Sequence, residues 1–257
     1  MCAAEDIAAY LEENLRTRFI GRRLIYLDTA PSTQDIARKL ALEGAPEGTA
    51  VIAGEQQAGR GRMGRSWISP SGVLATSLVL RPPAASLYLL PAVTSVAVCR
   101  ALRVLGTPAG IKWPNDVLIE GKKVCGILIE NGLQAGGAGY SIAGIGINVN
   151  FDTASRAEIA GTATSLSTRL GHDLPVGEVA LRLFTALEDA YTASGGPEAI
   201  IAEWAQNMVT IGQRVSSDFY GNRIDGIAEG VSRQGNLVVR LADGSLTEIV
   251  AGDVTIT

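Results

Sequence analysis

Gln56-Gln57-Ala58-Gly59-Arg60-Gly61-Arg62-Met63-Gly64-Arg65-Ser66-Trp67 is the stretch around which this sequence is organised. It interleaves Arg60, Arg62 and Arg65 with Gly59, Gly61 and Gly64 and contains no acid, in a chain whose net charge is -4. The plain reading of such composition is an exposed glycine-arginine loop. Two nucleotide-binding patterns fit by spacing: Gly59-x-Gly61-x-x-Gly64 matches a dinucleotide fingerprint, and Gly59-x4-Gly64-Arg65-Ser66 a P-loop with arginine for lysine. Both fail on the segment that comes next. Each needs a helix to open at its end so that backbone N–H groups meet phosphate, whereas Trp67-Ile68-Ser69-Pro70-Ser71-Gly72 does not start a long helix. Three guanidiniums on near-free backbone predict instead a flap that orders around an anionic ligand.

The rest of the composition bounds what that ligand is. At 257 residues, 47% hydrophobic and 19% charged, the chain supports a sizeable core in one large domain with a small appendage. An acidic balance excludes a general nucleic-acid binder, which needs a basic face. Cys2, Cys99 and Cys125 are odd in number and form no CxxC, so neither a disulfide framework nor a zinc site is expected and the cytoplasm is the default compartment. His172 is the only histidine, which sets aside a Ser-His-Asp triad and a multi-histidine metal site. The N-terminus carries acids where a signal peptide has bases. The longest apolar run, residues 87–105, includes Pro91, Arg100 and Arg103 and reads as a buried helix, not a membrane span.

Periodicity and turn residues predict helices over 5–18, 34–43, 86–105, 174–193 and 197–208. Strands are expected over 23–27, 49–55, 73–81, within 111–119, and over 124–133 and 140–149, the last two joined by the glycine-rich 134–139. Ser32 and Thr33 fall at the start of the second helix, where capping is their ordinary task. After Gly212 the texture changes to short strands punctuated by Gly221-Asn222, Gly235-Asn236 and Asp243-Gly244. About 45 residues of that kind form a small β-barrel that is marginal unless docked on a larger domain. The boundary is expected between 1–211 and 212–257.

Five segments occur together in one order: Ser32-Thr33, the Gln56–Trp67 stretch, Lys112-Trp113-Pro114-Asn115-Asp116, Lys123-Val124-Cys125-Gly126-Ile127-Leu128-Ile129-Glu130 and Gly144-Ile145-Gly146-Ile147-Asn148. On these the chain resembles the biotin protein ligases, and residues beyond 212 are similar to that family's SH3-like domain. The resemblance implies an α+β fold, a mixed β-sheet catalytic domain flanked by helices of the class II synthetase-like, biotin/lipoate ligase kind, with a C-terminal SH3-like β-barrel. The short lead ahead of Arg23 leaves no room for the winged helix-turn-helix of family members that repress transcription, so no repressor role is expected. Gln34-Asp35 and Met63 depart from commoner residues of the family.

The implied activity uses ATP and Mg²⁺ to convert biotin to biotinyl-5′-AMP and pyrophosphate, then forms an amide on a lysine of a biotin carboxyl carrier domain of an acetyl-CoA or acyl-CoA carboxylase. By resemblance Lys123 and Arg62 are catalytic. Ser32, Thr33, Gln34, Gln56, Gly59, Arg60, Gly61, Lys123, Gly126 and Gly144 take biotin. Arg62, Arg65, Trp67, Asn115, Asp116 and Asn148 take the nucleotide, with Asp116 and Asn148 as Mg²⁺ ligands; Trp67 either packs on adenine or belongs to the core. Competing readings are a lipoate or octanoate ligase or transferase of the same fold, and a non-catalytic regulator that binds biotin or nucleotide. No nucleic acid or membrane partner is expected, and the chain is expected to be a monomer or weak homodimer.

Overall fold

The computed structural model describes residues 6–133, 139–219 and 222–256. Cys2, the connection at 134–138 and the turn at Gly221 lie outside them.

Near-continuous burial along the central strands, β3 above all, builds one seven-stranded mixed sheet with helices on both faces. Helix α1 (Ile7–Asn14) is capped by Asp6 and buries Ile7 and Leu11. It leads to strand β1 (Leu24–Ala30), helix α2 (Thr33–Leu42) and strand β2 (Ala50–Gln56), a crossover that makes β1 and β2 parallel. The other neighbours are antiparallel: β3 (Val73–Leu80), β4 (Gly110–Lys112), β5 (Asp116–Ile119), β6 (Lys122–Leu133) and β7 (Gly139–Asn148) give the order β1-β2-β3-β7-β6-β5-β4. Odd positions of β3 face α2, so Val79 packs with Val51, Ala37 and Ala41. Even positions, among them Leu74 and Leu78, face the other helices.

That other layer is thick. Helix α3 (Leu90–Val104) and helix α5 (Val176–Tyr191) pack against each other across the sheet, with α1 beside α5 and α6 (Gly196–Gln206) beside α3. The α-helix expected from residue 86 begins at Leu90, because residues 84–89 wind as a 3₁₀ segment and Pro91, lacking an N–H, suits the first turn. The stretch Ala84–Val104 is long and apolar enough to cross a membrane by composition, yet 67% of its apolar window is buried inside this fold. Its polar Thr94 and Ser95 return their hydroxyls to the carbonyls of Leu90 and Pro91, which leaves no bare donor in an apolar layer. A short helix, α4 (Leu166–Leu170), adds to the elements that periodicity predicts; Ser165 caps it and Gly171 ends it in a left-handed conformation.

Residues beyond 212 form a second sheet, with β8 (Arg214–Phe219), β9 (Asn222–Val231), β10 (Leu237–Arg240), β11 (Leu246–Ile249) and a two-residue β12 (Thr255–Ile256) in the antiparallel order β11-β10-β9-β8-β12. Val215, Leu237, Val239 and Ile249 join the same continuous core as the helical layer, so this small unit is docked as its size requires. Trp113 stitches the two: its N–H reaches Thr210 Oγ1 at 2.9 Å and its indole N–H the Gly235 carbonyl at 3.0 Å.

Candidate active site

Helices α1, α3 and α5 pack on one face of the large sheet, with α6 outside α3, whereas the other face carries α2 alone, ten residues long. The part that α2 leaves bare is lined by small residues at matching register: Gly126 lies opposite Gly146 and Leu128 opposite Gly144. A Cβ at Gly146 would sit within 3.0 Å of the Trp67 indole, one at Gly126 would sit 3.0 Å from the same ring, and one at Gly144 would strike the Gln34 amide. The glycine pair is therefore a seat for Trp67, and the strand stays open above it.

A cavity of about 120 Å³ occupies this bare face. At its inner end Ser32 stands at the cap position of α2 but makes no capping bond; its hydroxyl is buried without a protein partner. The first N–H of the helix is satisfied instead by Gln56, whose Oε1 accepts from Thr33 N at 2.9 Å and from Thr33 Oγ1 at 3.1 Å. Ordinary capping thus fails as the account of Ser32, and a buried hydroxyl that lacks a partner points to a ligand. Gln34 is buried beneath Gly144, its Nε2 donating to the carbonyls of Ile142 and Leu128 and its Oε1 accepting from Ser77 at 3.1 Å.

The arginine loop arches over this face as a tight hairpin. Trp67 N donates to Gly59 O at 2.9 Å and Gly61 N to Arg65 O at 2.7 Å, with a single 3₁₀ turn over Arg62–Gly64 at its tip. Gly59 does not line the cavity; a Cβ there would collide with the Trp67 carbonyl, so its task is to let the two arms of the hairpin close. The anions expected for the guanidiniums are in part the protein's own. Arg60 is paired with Glu130 at 2.6 Å and Asp35 at 3.2 Å, which fastens the loop to β6 and α2. Arg62 donates to Asn115 Oδ1 at 2.8 Å, and Arg65 pairs with Asp253 of the C-terminal unit at 2.7 Å. Asn115 is held in turn by Ile127, to whose carbonyl its amide donates at 2.8 Å.

A second, larger cavity of about 670 Å³ adjoins the first. Asp116 and Asn148 line this one and not the first, together with Glu158, Ile159 and residues 161–163. Three residues line both: Ser66, Trp67 and Lys123. Lys123 Nζ lies 2.6 Å from Asp116 Oδ1 and 5.5 Å from the Trp67 ring centroid, on the face of the indole. Its backbone is clamped from both sides, N–H to Thr162 O at 2.8 Å and carbonyl from Thr164 N at 2.9 Å. A cation held in this way at the junction meets whatever reaches across from either cavity.

The donor set around Asp116 fits Mg²⁺ in one manner. No cluster of three or more His, Cys, Asp or Glu exists among the described residues, so a resident metal cage is absent there. One carboxylate with the nearby Asn148 amide suits an ion that takes its remaining oxygens from nucleotide phosphates. The two thiols among the described residues offer no nucleophile: burial pushes the pKa of Cys99 up to about 12 and that of Cys125 well above its ordinary value.

Most of the expected residues converge, namely Ser32, Thr33, Gln34, Gln56, Arg60, Gly61, Arg62, Arg65, Trp67, Asn115, Lys123, Gly126 and Gly144 in the first cavity. Ser77, Gly146 and Lys112 have no role assigned by sequence and yet line one cavity or the other. Gly146 and Lys112 stand inside the motif segments themselves. Ser77 has a subtler signal, a hydroxyl on a strand every residue of which is buried.

Comparison with known proteins agrees with this geometry. Residues 26–150 match the biotin/lipoate A/B protein ligase family, and residues 210–256 match the biotin protein ligase C-terminal domain. The bifunctional ligase/repressor BirA of Bacillus subtilis is 36% identical over 93% of this chain and 76% of its own length. The biotin--[acetyl-CoA-carboxylase] ligase of Paracoccus denitrificans is 35% identical over 81% of this chain and 90% of its own length. The structure of biotin protein ligase from Aquifex aeolicus in complex with biotin and ATP superposes with a TM-score of 0.78 at 32% identity, covering 92% of this chain and 100% of that one. Sheet, joined cavities and sequence likeness together define a ligase of the biotin/lipoate type. Within that class, the chain belongs to the biotin protein ligase family.

Proposed function

We propose that this chain is an ATP-dependent biotin--protein ligase, activating biotin as biotinyl-5′-AMP and passing it to a lysine of a biotin carboxyl carrier domain. The observation that carries the reading is Lys123, set where the small cavity with the polar inner end opens into the larger one. Biotin lies with its ureido ring against Ser32, Thr33 and Gln56 and its carboxylate toward Lys123. ATP occupies the larger cavity beside Asp116 and Asn148, with Arg62 and Arg65 over its phosphates.

In the first step a carboxylate oxygen attacks the α-phosphorus, the bond to the β-phosphate oxygen breaks and pyrophosphate leaves. Two anions must meet, so positioned cations are the catalysts and no protein nucleophile is required. Lys123 touches both reacting groups. Arg62, fixed by Asn115, keeps its guanidinium fork aimed at phosphate oxygens. Mg²⁺, held by Asp116 and Asn148 with the nucleotide, supplies further charge neutralisation when bound. In the second step the carrier amine attacks the acyl carbon, an amide forms and AMP leaves. Until then the loop must exclude water, which would hydrolyse the mixed anhydride.

A lipoate or octanoate ligase of the same fold is not favoured: those substrates lack a polar head, and here the inner end presents the unpartnered Ser32 hydroxyl and the Gln56 amide. We place the reaction in the cytoplasm, on an acetyl-CoA or acyl-CoA carboxylase carrier, by a monomer or weak homodimer. Incubation with ATP, Mg²⁺ and biotin, followed by mass spectrometry, tests the reading. Biotinyl-AMP and biotin-dependent exchange of pyrophosphate into ATP are expected; binding without exchange would mean a regulator.

A further inference from the structure

The floor of the small cavity holds four oxygens in a row: Gln56 Oε1, Thr33 Oγ1, Ser77 Oγ and Gln34 Oε1. Successive separations are 3.1, 2.8 and 3.1 Å. Thr33, Ser77 and Gln34 are all deeply buried, with exposures of 3%, 1% and 3%. Neither amide can turn over to change its end of the row. Gln56 Oε1 is fixed by accepting from the Thr33 backbone N–H, and Gln34 Nε2 is fixed by donating to the Ile142 carbonyl at 3.3 Å.

Three oxygen–oxygen contacts therefore share two hydroxyl protons, one from Thr33 and one from Ser77. Two arrangements are consistent. In one, Thr33 donates to Ser77 and Ser77 to Gln34; in the other, Ser77 donates to Thr33 and Thr33 to Gln56. The third choice, with both hydroxyls donating outward, leaves the 2.8 Å contact between Thr33 and Ser77 without a proton. In the first arrangement the Thr33 oxygen receives no donor, since the Thr33 backbone N–H already serves Gln56 Oε1; in the second the Gln34 oxygen receives none, and rotation of two hydroxyls exchanges which one. A buried acceptor left short costs stability unless a ligand supplies the donor.

We propose that Ser77 is a positioning residue for the head group of the substrate: it makes the floor one donor short, and a ring N–H of the ureido group completes the row. The proposal rests on the reading that places the ureido ring at Ser32, Thr33 and Gln56. A cyclic urea brings two N–H donors and one carbonyl. Its carbonyl meets the Ser32 hydroxyl, and one N–H enters the relay through Thr33 or Gln34. Ser77 acts through those two residues and does not touch the reacting atoms. Its effect is on which ring is accepted, with no effect on the phosphoryl chemistry about Lys123.

The test compares wild type with Ser77→Ala and the isosteric, weakly donating Ser77→Cys, in biotin-dependent pyrophosphate exchange, using biotin and its two mono-N-methyl ureido isomers. Circular dichroism and thermal unfolding verify that each variant is folded. Ser77→Ala should raise the KM for biotin about fivefold while kcat and the KM for ATP stay constant, the scale of one neutral hydrogen bond. Ser77→Cys should fall between. The decisive readout is discrimination: wild type should reject one methyl isomer more strongly than the other, and Ser77→Ala should lose about fivefold of that difference. If Ser77→Ala rejects both isomers as wild type does, or loses discrimination against both alike, the relay is wrong although the head-group site stands. If wild type does not discriminate against either isomer, the placement of the ureido ring falls as well.

Discussion

Arg65 and Asp253 are 188 residues apart in the chain and their side chains meet at 2.7–2.9 Å, with Arg62 a further 3.8 Å from the same carboxylate. The pair joins the ligand loop to the last turn of the C-terminal unit. Asp253 is itself anchored, since its backbone carbonyl accepts from Ser217 Oγ at 2.9 Å. The carboxylate keeps two like-charged guanidiniums together ahead of the nucleotide. Both partners are well exposed, so the pair adds little to stability, under about 1 kcal/mol. Asp253→Ala is expected to leave the unfolding transition nearly unmoved. It should raise the KM for ATP several-fold while the KM for biotin stays put, because the guanidiniums lose their arrangement. Exchange kinetics with each substrate varied in turn will separate the two constants.

Lys123→Ala is expected to remain folded and to lower biotinyl-AMP formation at least about a hundredfold, the scale for removing one charge-stabilising group. Asp116, the partner it abandons, retains contact with solvent and tolerates the loss. Lys123→Arg should not restore activity, because a planar guanidinium fork does not reproduce the compact ammonium that meets two reacting groups at one point. Single-turnover adenylate formation is the measurement; a near-normal rate for Lys123→Ala would remove it from the chemistry.

Gly146→Ala and Gly144→Ala should part company. A methyl at Gly146 displaces the Trp67 indole, which walls both cavities, so binding of biotin and of ATP should each weaken about tenfold or more. A methyl at Gly144 instead meets the Gln34 amide and should weaken biotin alone. Isothermal titration with each ligand, and the altered tryptophan emission expected only for Gly146→Ala, will tell them apart.

Glu188 is a buried carboxylate on α5 that accepts from the backbone N–H groups of Arg18, Phe19 and Ile20 at 2.7, 2.9 and 3.1 Å. Burial pushes its pKa up, but those three donors together with the Arg18 charge outweigh it and hold the carboxyl below its ordinary value. A depressed carboxylate stabilises the fold above its unfolded pKa of about 4.3. That contribution is lost as pH falls through the lower, folded value. Glu188→Ala should therefore cost about 2–3 kcal/mol near neutral pH, by stranding three donors. The gap between variant and wild type in denaturant midpoint should close as the pH is taken below about 4. A gap that stays constant on acidification would show that the charge of Glu188 is not what holds the segment.

The chemistry-bearing residues were legible in the chain itself. Gly59 to Trp67 announces cations on a tight turn, and the segments around Lys112, Lys123 and Gly144 supply the lysines, acids and strand glycines of a site, because residue type and short-range spacing fix what a segment can donate, accept or leave room for. The order of strands and helices is legible too, since burial periodicity is local. What lay beyond reach was everything set by contact between distant segments. The acids that neutralise the loop, Asp35, Glu130 and Asp253, come from an early helix, the middle of the sheet and the end of the chain. That the Ser32 hydroxyl is left without a partner, and that Gln56 arrives from β2 to take the first helical N–H, are both outcomes of tertiary contact. That Gly126 and Gly146 form one seat was decided by the register of β6 on β7. Lys123 became one of the residues shared by two cavities where residues 162–164 clamp its backbone. Hydrogen-bond partners and cross-strand register are chosen by the packing of the whole sheet and its helices, and no window of sequence contains them.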